Sequence, residues 1–419
     1  MLATLDLIRE SAQRDRLDDL LVRCIELPVY RSLLAQTGMV SAGSNIAAAW
    51  EQFPFVTKRE MRENFPGNFL RTGQALETLL ENDAVELEHT SGTSEERAPV
   101  LFRRGWWNEQ EERALRLNRF VARVLDEHPS ARRATITTPA CNGRSCPTVW
   151  QSVAQRTSGA TRFVNLARIP FILGNAELAR MAEEIAEWSP QFLDVSPVHA
   201  VRFALYCERQ GLRFPSLRFV LCSYEFVSVV HRRILRRVFG VPVFNLYGST
   251  ETGHLLMEDE HGEMKPSYDN AFLEVVSPDE RGVGDLVVTT LTNDYMPLLR
   301  YRIGDLVERR ELSYATTYVV HGRERDTLRA RDGRRVTTWQ VDDCFVGVAG
   351  IAHYQLRQAE NGDCLLRYVP DGDGAGVVGL KEIALRLESL LQLPGRITAE
   401  AVTLLLPTPS GKFRLTYRA

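Results

Sequence analysis

The sequence predicts an α/β fold, in which a large N-terminal domain with parallel-type sheets flanked by helices precedes a small α+β C-terminal domain. With 419 residues, the chain exceeds one ordinary hydrophobic core and suits two domains. Between residues 176 and 246, segments of helical periodicity alternate with short apolar runs, a pattern typical of parallel strands. The composition then becomes rich in charge at residues 321–328. We therefore expect a large domain over residues 1–321 and a small one over residues 322–419.

The spacing of apolar residues assigns the elements of each domain. Helices are predicted over residues 4–36 (as one or two helices), 106–125, 176–188, 199–210, 229–239 and 380–391. Strands are predicted over residues 134–139, 192–195, 217–222, 241–246, 284–291, 364–369 and 402–406. In an open parallel sheet, ligands bind beyond the carboxyl ends of the strands. We therefore expect functional residues in the turns that follow the strands near residues 222 and 246.

Composition and charge exclude several classes of function. A hydrophobic content of 44%, a charged content of 25% and a net charge of -3 describe a soluble globular protein without the basic excess that binds nucleic acid or acidic membranes. No apolar run approaches the roughly 20 residues that cross a bilayer, and the start of the chain lacks the pattern of a signal peptide. The seven cysteines lack metal-ligand spacing and are interpreted as reduced thiols. We expect a cytoplasmic protein whose partners are small molecules, with a homodimer left open.

Residues 243–254 end an apolar run with an aromatic residue, a glycine, two hydroxyls and a carboxylate. In such a turn, N–H and hydroxyl groups can meet an anion while the carboxylate holds a cation, which suits a nucleotide site. Hydroxyls ahead of an acidic residue, here Ser249 and Thr250, also form an ordinary helix start. On this stretch alone, both interpretations stand.

Hydroxyl groups also crowd around a single glycine in residues 89–99. A flexible loop of this kind can wrap the β- and γ-phosphates of ATP, and it can equally be a solvated linker. It is not a Walker loop, because no Gly-Lys-Ser/Thr sequence follows.

Lysine is rare in this chain, so a lysine at a motif position is easy to recognise. The lysines are Lys58, Lys265, Lys381 and Lys412. Lys58 follows Thr57, which begins a capping-box pattern, and we interpret Lys58 as a surface residue. Lys412 follows a glycine, and a lysine on such a loop is a mobile point charge suited to a carboxylate oxygen that meets an α-phosphate. The alternative for Lys412 is a solvated tail residue.

Several stretches resemble motifs of the adenylate-forming superfamily and fall in the family's order, with flanks that most resemble its phenylacetate-CoA ligase-like branch. The stretches are a Pro-x-x-x-Lys segment (54–58), the hydroxyl-rich loop (89–99), a Tyr-Gly-x-Thr-Glu motif (247–251), a Tyr-Arg-x-Gly-Asp motif (301–305), a Gly-Arg hinge segment (322–326) and a Gly-Lys ending (411–414). The resemblance covers the chain from about residue 54 to its end.

The resemblance implies an ATP-dependent acid ligase that uses Mg²⁺, forms an acyl-adenylate, releases pyrophosphate and passes the acyl group of an aryl or arylalkyl acid to CoA. It also implies that the small domain is a mobile lid. Lys412, Thr250 and Glu251 are the implied catalytic residues, with Glu251 also holding Mg²⁺. The residues implied to bind ATP or AMP are Thr90, Ser91, Gly92, Thr93, Ser94, Ser223, Tyr224, Glu225, Asn245, Tyr247, Gly248, Ser249, Asp305 and Arg323. The implied hinge residues are Arg325 and Asp326.

Asp305 follows a glycine at a strand end, where its carboxylate can accept hydrogen bonds from the cis hydroxyls of a ribose; a turn-capping aspartate is the alternative. The chain also departs from the family pattern. Glu95 replaces the second glycine of the phosphate loop, and the usual lysine of that loop is missing. Tyr224 replaces a glycine, and it either shortens the acyl pocket or plugs the strand end as core. Arg325 stands where the family has its hinge Asp or Lys, with Asp326 just after.

These departures keep a nucleotide-binding protein without turnover as an alternative function. For an active ligase, an amine or a carrier-protein thiol is the alternative acceptor of the acyl group.

Overall fold

The computed structural model describes residues 13, 15–36, 50, 53–90, 97–137, 151–313, 315–372, 379–409 and 411–419. The chain divides into two compact units, which we call the first unit (Met1–Asn118 with Tyr247–Val319) and the second unit (Arg119–Leu246 with Val320–Ala419). The predicted division into residues 1–321 and 322–419 stays a prediction.

The helices follow one another along the chain within the described ranges. They are α1 (15–24), α2 (Pro28–Gln36), α3 (Lys58–Asn64), α4 (Leu76–Glu81), α5 (Trp106–Leu115), α6 (Arg119–Glu127), α7 (Asn175–Trp188), α8 (Pro197–Arg209), α9 (Val229–Phe239), α10 (Thr338–Asp343) and α11 (Leu380–Leu391).

The strands alternate with these helices in the middle of the chain and dominate after residue 243. They are β1 (Val85–His89), β2 (Pro99–Arg103), β3 (Arg133–Ile136), β4 (Thr157–Ser158), β5 (Thr161–Phe163), β6 (Phe192–Val195), β7 (Phe219–Cys222), β8 (Val243–Ser249), β9 (Gly253–Glu258), β10 (Met264–Pro266), β11 (Ala271–Val276), β12 (Val283–Thr290), β13 (Tyr301–Leu312), β14 (Ala315–Arg323), β15 (Leu328–Arg329), β16 (Arg335–Val336), β17 (Ile351–Gln358), β18 (Cys364–Pro370), β19 (Ile397–Ala401) and β20 (Thr416–Arg418).

The second unit contains a parallel sheet in which β3, β6, β7 and the first residues of β8 are neighbours. Every residue of β6 and β7 is buried, because helices cover both faces of such a sheet and its strands are continuous apolar runs. The register places Val195 opposite Cys222, and Cys222 opposite Asn245. The turns after β6 and β7 therefore leave the sheet at the same edge.

Residues 320–419 add a smaller sheet to the second unit, with strand order β19-β18-β17-β20. Helix α11 buries Ile383, Leu387 and Leu391 in the same hydrophobic cluster as Leu356 and Leu366. Apolar residues four apart lie on one face of a helix, so this face accounts for the packing of α11.

The first unit is mainly antiparallel. Strands β11, β12 and β13 pair antiparallel in that order, and β10 pairs with both β9 and β14. Strand β1 pairs with β2 in a separate hairpin. The chain before α3 also contacts this sheet, because Val56 bridges Tyr301 at the start of β13.

The α/β class predicted from the sequence is confirmed, and so are most of its elements. The predictions over residues 192–195, 229–239 and 380–391 match β6, α9 and α11 in full. Two elements were wrong. Residues 106–125 form two helices, α5 and α6, and residues 402–406 form no strand, because the edge strand is the mostly exposed β19 before them. The predicted elements over residues 4–12 and 138–139 lie outside the described residues.

Among the described helices, none is long and apolar enough to span a membrane.

Asn270 joins α5 to β9 in the first unit. Its fully buried side-chain amide donates hydrogen bonds to the backbone carbonyls of Gln110 (3.0 Å) and His254 (2.9 Å). Asn270→Ala leaves both acceptors buried without this donor, so we expect it to lower the free energy of unfolding by about 2 to 4 kcal/mol. Urea denaturation measures the change. The exposed Asn68 is the control, since Asn68→Ala should change stability by less than about 0.5 kcal/mol; an equal loss in both variants would contradict the role of Asn270.

Candidate active site

The turn between β8 and β9 is closed by two glycines of the first unit. A Cβ atom on Gly248 would lie 2.2 Å from the carbonyl oxygen of Gly253. Gly253 has φ of +72°, and a Cβ atom there would lie 2.9 Å from the Trp106 ring. No side chain fits at either position without moving backbone or ring atoms. The chain therefore folds back on itself here only because both residues are glycine.

The hydroxyls inside this turn bond to each other. The Ser249 and Thr252 side-chain oxygens are 2.9 Å apart, and the Thr252 N–H donates to Ser249 O (3.3 Å). Strand β9 follows directly, so the interpretation of Ser249 and Thr250 as a helix start is wrong. The turn continues into a strand because Gly253 takes the left-handed conformation and redirects the chain.

Glu251 is the charged residue of the turn, and it is buried. Its Oε1 atom lies 3.0 Å from Lys58 Nζ and accepts a hydrogen bond of 3.0 Å from the Tyr301 hydroxyl. Burial favours the neutral acid, but the charge and the hydrogen bond of Lys58 work against it, and the pKa of Glu251 is lowered. The carboxylate is therefore held ionised inside the first unit.

Tyr247 and Asp305 bring two of the predicted nucleotide motifs together. The Tyr247 hydroxyl donates to Asp305 Oδ2 at 2.6 Å. Asp305 lies inside β13 rather than at a strand end, so the geometry assumed for it from the sequence is wrong, as is the alternative of a turn-capping aspartate. Both residues belong to the first unit, like Gly248, Ser249, Thr250 and Glu251.

Thr90 closes the base of the predicted phosphate loop. Its N–H donates to Ala98 O (3.0 Å), and its Oγ1 accepts from the Ala98 N–H (3.0 Å). These bonds extend the β1–β2 pairing to the ends of the loop. Ser91, Gly92, Thr93, Ser94 and Glu95 lie outside the described residues, so their predicted phosphate contacts stay predictions.

Ser223 and Tyr224 follow β7 in the second unit, and both bond to one carboxylate. Ser223 Oγ donates to Asp194 Oδ1 (3.0 Å), and the Tyr224 hydroxyl donates to Asp194 Oδ2 (2.7 Å). Tyr224 has φ of +71°, a conformation that costs a residue other than glycine about 1 to 3 kcal/mol. The two bonds to Asp194 hold it there. Asn245 lies on β8 opposite Cys222, at the same sheet edge.

Glu225 lies next to the segment of Lys412 within the second unit. Its Oε2 accepts from Ser196 Oγ (2.7 Å), and its Oε1 accepts from the backbone N–H of Phe413 (2.7 Å). Burial raises the pKa of this carboxyl, and the two hydrogen bonds and the charge of Lys412 only reduce the shift. The structure thus brings together two segments that were predicted as separate motifs, the turn of Glu225 and the Gly-Lys ending that contains Lys412.

The predicted hinge residues Arg325 and Asp326 lie just after β14, in a short 3-10 helix (Glu324–Asp326). Gly322 has φ of +93°, and a Cβ atom there would lie 2.9 Å from Thr338. Asp326 forms an ion pair with Arg414, in which Asp326 Oδ1 lies 2.6 Å from Arg414 Nη2. Arg325 is exposed. Arg323 is the last residue of β14. Burial raises the pKa of Asp326, with Arg414 opposing the shift.

Within the described ranges, no group of three or more His, Cys, Asp or Glu side chains could hold a metal ion. A magnesium ion in a nucleotide site usually takes only one or two carboxylates and completes its shell with phosphates and water. A single ionised carboxylate such as Glu251 fits that mode of binding.

No protein-family model matches the chain. The chain is 25% identical over 368 residues to a phenylacetate-coenzyme A ligase of Thermus thermophilus, covering 83% of this chain and 77% of that one. It is 24% identical over 375 residues to the phenylacetate-coenzyme A ligase of Escherichia coli, covering 84% and 80%. The solved structure of 2-hydroxyisobutyryl-CoA ligase in the postadenylation state matches with a TM-score of 0.70 and 17% identity, over 98% of this chain and 89% of that one.

These two relatives each match most of the length of this chain, and the solved structure shares its fold. The resemblance to the adenylate-forming superfamily, and to its phenylacetate-CoA ligase-like branch, is confirmed. The α/β fold class expected from that resemblance is confirmed as well. The roles of individual site residues stay predictions.

Sequence reasoning missed three partners of the site. Lys58 was interpreted as a surface residue, but its side chain is only 29% exposed and pairs with Glu251. Its rarity and its place in the Pro-x-x-x-Lys segment were signals that could have identified it. Tyr301 carried the signal of its place in the Tyr-Arg-x-Gly-Asp motif, but only the fold shows its partner. Asp194 carried no such signal, because it is one residue of an otherwise apolar strand.

We expect Lys58 to stabilise the fold through its ion pair with Glu251. Because the pKa of Glu251 is lowered, its ionisation stabilises the fold above the ordinary value of 4.5, and this contribution is lost as pH falls through the folded pKa. Lys58→Met leaves the buried charge of Glu251 without its cation, so we expect the free energy of unfolding to fall by about 2 to 4 kcal/mol near pH 7. This is below the usual range for fully buried pairs, because Lys58 is partly exposed. The loss should shrink as pH falls, beginning above pH 4.5, because without Lys58 burial raises the pKa of Glu251 and protonation neutralises it. Urea denaturation across pH 3 to 8 measures the loss of stability near pH 7 and its dependence on pH.

The double variant Lys58→Met/Glu251→Gln should be more stable near pH 7 than Lys58→Met alone, since no buried charge remains. The exposed Lys381 is the control, and Lys381→Met should show no such pH dependence. A pH-independent loss in Lys58→Met would contradict the pairing.

Proposed function

We propose that this protein is an ATP-dependent carboxylic acid ligase that forms an acyl-adenylate and passes the acyl group to CoA. The similarity to ligases named for phenylacetate and CoA supports this class of activity. The observation that carries the proposal is the hydrogen bond from Tyr247 to Asp305. It joins two predicted nucleotide motifs that lie 58 residues apart, so the side chains proposed for adenine and for ribose are neighbours.

In the first half-reaction, a carboxylate oxygen of the acid attacks the α-phosphorus of ATP, and the bond to pyrophosphate breaks. In the second, the CoA sulfur attacks the acyl carbon, and AMP leaves. Such chemistry needs positioning and electrostatic stabilisation more than covalent participation by the protein.

The residues of the first unit have the types that nucleotide binding needs. Asp305 would accept the ribose hydroxyls, and the Tyr247 ring would lie against adenine. Thr90 and the following hydroxyls would meet pyrophosphate, and Thr250 the α-phosphate. Glu251 would hold Mg²⁺, which when bound neutralises charge on the phosphates. Lys58 keeps Glu251 ionised, so the carboxylate is ready as a ligand without a proton to lose.

In the second unit, Lys412 would stabilise the negative charge that grows as the carboxylate meets the α-phosphate. Ser223, Tyr224 and Asn245 lie along one edge of the parallel sheet, where ligands of such sheets bind. Arg323 would contact the nucleotide near the hinge.

We propose an aryl or arylalkyl acid as the donor, because the two curated relatives are named for phenylacetate. Tyr224 supports a compact acyl site, since it places a ring where a glycine would leave space. An amine or a carrier-protein thiol is the alternative acceptor.

Acid-dependent exchange of labelled pyrophosphate into ATP tests the activity. We expect exchange with at least one acid of an aryl, arylalkyl and fatty panel. Asp305→Ala should raise the KM for ATP about 10- to 100-fold, since a lost charged hydrogen-bond acceptor costs about 1.5 to 3 kcal/mol. Asp285, on the neighbouring strand β12, is the matched control, and Asp285→Ala should leave the KM within about threefold. Tight ATP binding without exchange for any acid would instead favour a nucleotide-binding protein without turnover.

Lys412 should separate the two half-reactions. Lys412→Ala removes a donor needed only when carboxylate and α-phosphate meet, so adenylate formation should fall by about 10²- to 10³-fold. Transfer from a supplied acyl-adenylate to CoA should stay nearly intact. Single-turnover measurements of each step check this, with Lys381→Ala as the control. Equal losses in both steps, with an unchanged circular dichroism spectrum, would contradict a role confined to adenylation.

A further inference from the structure

The peptide group that links Lys412 to Phe413 is fixed at both of its polar atoms. Its carbonyl oxygen accepts from the N–H of Thr408 (2.8 Å) and from Thr408 Oγ1 (2.9 Å). Its N–H donates to Glu225 Oε1 (2.7 Å). Within this loop, Gly411 has φ of +84°, and its N–H donates to Thr408 O (2.8 Å). The backbone immediately after the lysine is therefore fixed by hydrogen bonds from both sides.

Glu225 is an unusual choice for one of these partners, because a buried carboxylate costs several kcal/mol unless its surroundings compensate. Its hydrogen bonds come from a hydroxyl, Ser196 Oγ, and from the Phe413 N–H. Ser196 Oγ is in turn 3.2 Å from His199 Nδ1. A hydrophobic residue at this position would leave the Phe413 N–H and the Ser196 hydroxyl without this acceptor, so the carboxylate points to a role in holding the segment of Phe413.

The Phe413 side chain occupies an aromatic slot in the second unit. Its ring lies edge to face with His353 (centroids 5.1 Å apart, 88°) and with Phe171 (6.3 Å, 87°). His199 lies 6.2 Å away at 72°. Edge-to-face aromatic pairs stabilise a defined ring position beyond the burial of surface. The ring and the peptide together fix the residue next to Lys412 in place and in direction.

We propose that Glu225 and Phe413 are positioning residues that fix the backbone of Lys412 for adenylate formation. The inference rests on the proposed function of Lys412. A lysine side chain has about 2 kcal/mol of rotamer entropy, and a loop that also moved at the backbone would add to this freedom. A displacement of about 1 Å at a reacting group can cost about 100-fold in rate. When the backbone is fixed, only the side-chain torsion angles of Lys412 remain free to vary.

The proposal is tested by adenylation in a single turnover, with the KM for ATP and the thermal transition measured on the same variants. Glu225→Ala should slow adenylate formation about 10- to 100-fold and raise the KM for ATP by a smaller factor. Glu225→Gln keeps an acceptor for the Phe413 N–H and should recover the rate to within about fivefold of the parent. Phe413→Ala should slow the step as Glu225→Ala does, and Phe413→Leu should restore most of it.

The decisive measurement is the double variant. If Glu225 acts through Lys412, then adding Glu225→Ala to Lys412→Ala should slow adenylation no further. A multiplicative loss in the double variant would overturn the proposal, because it would show that Glu225 acts by another route. Phe214 is the control for lost aromatic packing in the same unit, and Phe214→Ala should lower the thermal transition without slowing adenylation.

Failure of the positioning role and failure of the proposed function give different results. If the parent protein adenylates no acid, the proposed function is removed. Normal adenylation in Lys412→Ala leaves the ligase function in place but removes the role of Lys412, and the positioning role with it. A normal rate in Glu225→Ala beside a slow Lys412→Ala removes the positioning role alone. If Glu225→Ala does not fold, Phe413→Ala and Phe413→Leu decide the question in the same assays.

Discussion

The buried negative charge of Glu251 is the constraint on which the first unit depends. A carboxylate removed from water needs a cation and hydrogen-bond donors, and here Lys58 and the Tyr301 hydroxyl supply them. These three residues come from the start of α3, the turn between β8 and β9, and the start of β13. One electrostatic requirement therefore brings three distant segments of the chain to the same place, and the bridge between Val56 and Tyr301 reinforces the arrangement.

The turn itself depends on the absence of side chains. Gly248 and Gly253 approach so closely that a Cβ atom on the first would overlap the carbonyl of the second. This close approach lets the backbone reverse within a few residues, and it places Ser249, Thr250 and Glu251 in the turn. The surrounding side chains, such as Trp106 against Gly253, fill the space that the glycines leave.

Local patterns in the sequence were sufficient for the parallel sheet and its helices, because each apolar run there is buried in full. The runs at residues 192–195 and 219–222 needed no partner to be recognised. The edge strand β19 could not be found in this way, since its residues are mostly exposed and carry no apolar alternation. The neighbouring apolar residues 402–406 were mistaken for it. A pattern of apolar residues indicates which side chains are buried. An exposed edge strand is held by backbone hydrogen bonds to its neighbour, and these bonds require no apolar pattern in the sequence.

The motifs of the site could be located from the sequence, but the contacts between them could not. Tyr247 and Asp305 were recognised separately, and only the fold shows their hydrogen bond. Lys58 was found but misinterpreted, because its partner lies almost two hundred residues away in the chain. Such pairings depend on strand register, which a single sequence constrains only weakly where polar side chains are concerned.

Glu251 of the first unit and Glu225 of the second unit show how the surroundings of a buried carboxyl set its pKa. Both are buried, yet the pKa of Glu251 is lowered and that of Glu225 is raised. Burial raises the pKa of both. The ammonium of Lys58 contacts Glu251 directly, whereas the hydrogen bonds and the charge of Lys412 only reduce the shift of Glu225. A carboxylate held ionised by a cation suits a metal ligand, because no proton must leave before the metal binds. The carboxyl of Glu225 instead suits the fixing of a backbone N–H, because it can accept that hydrogen bond in either protonation state.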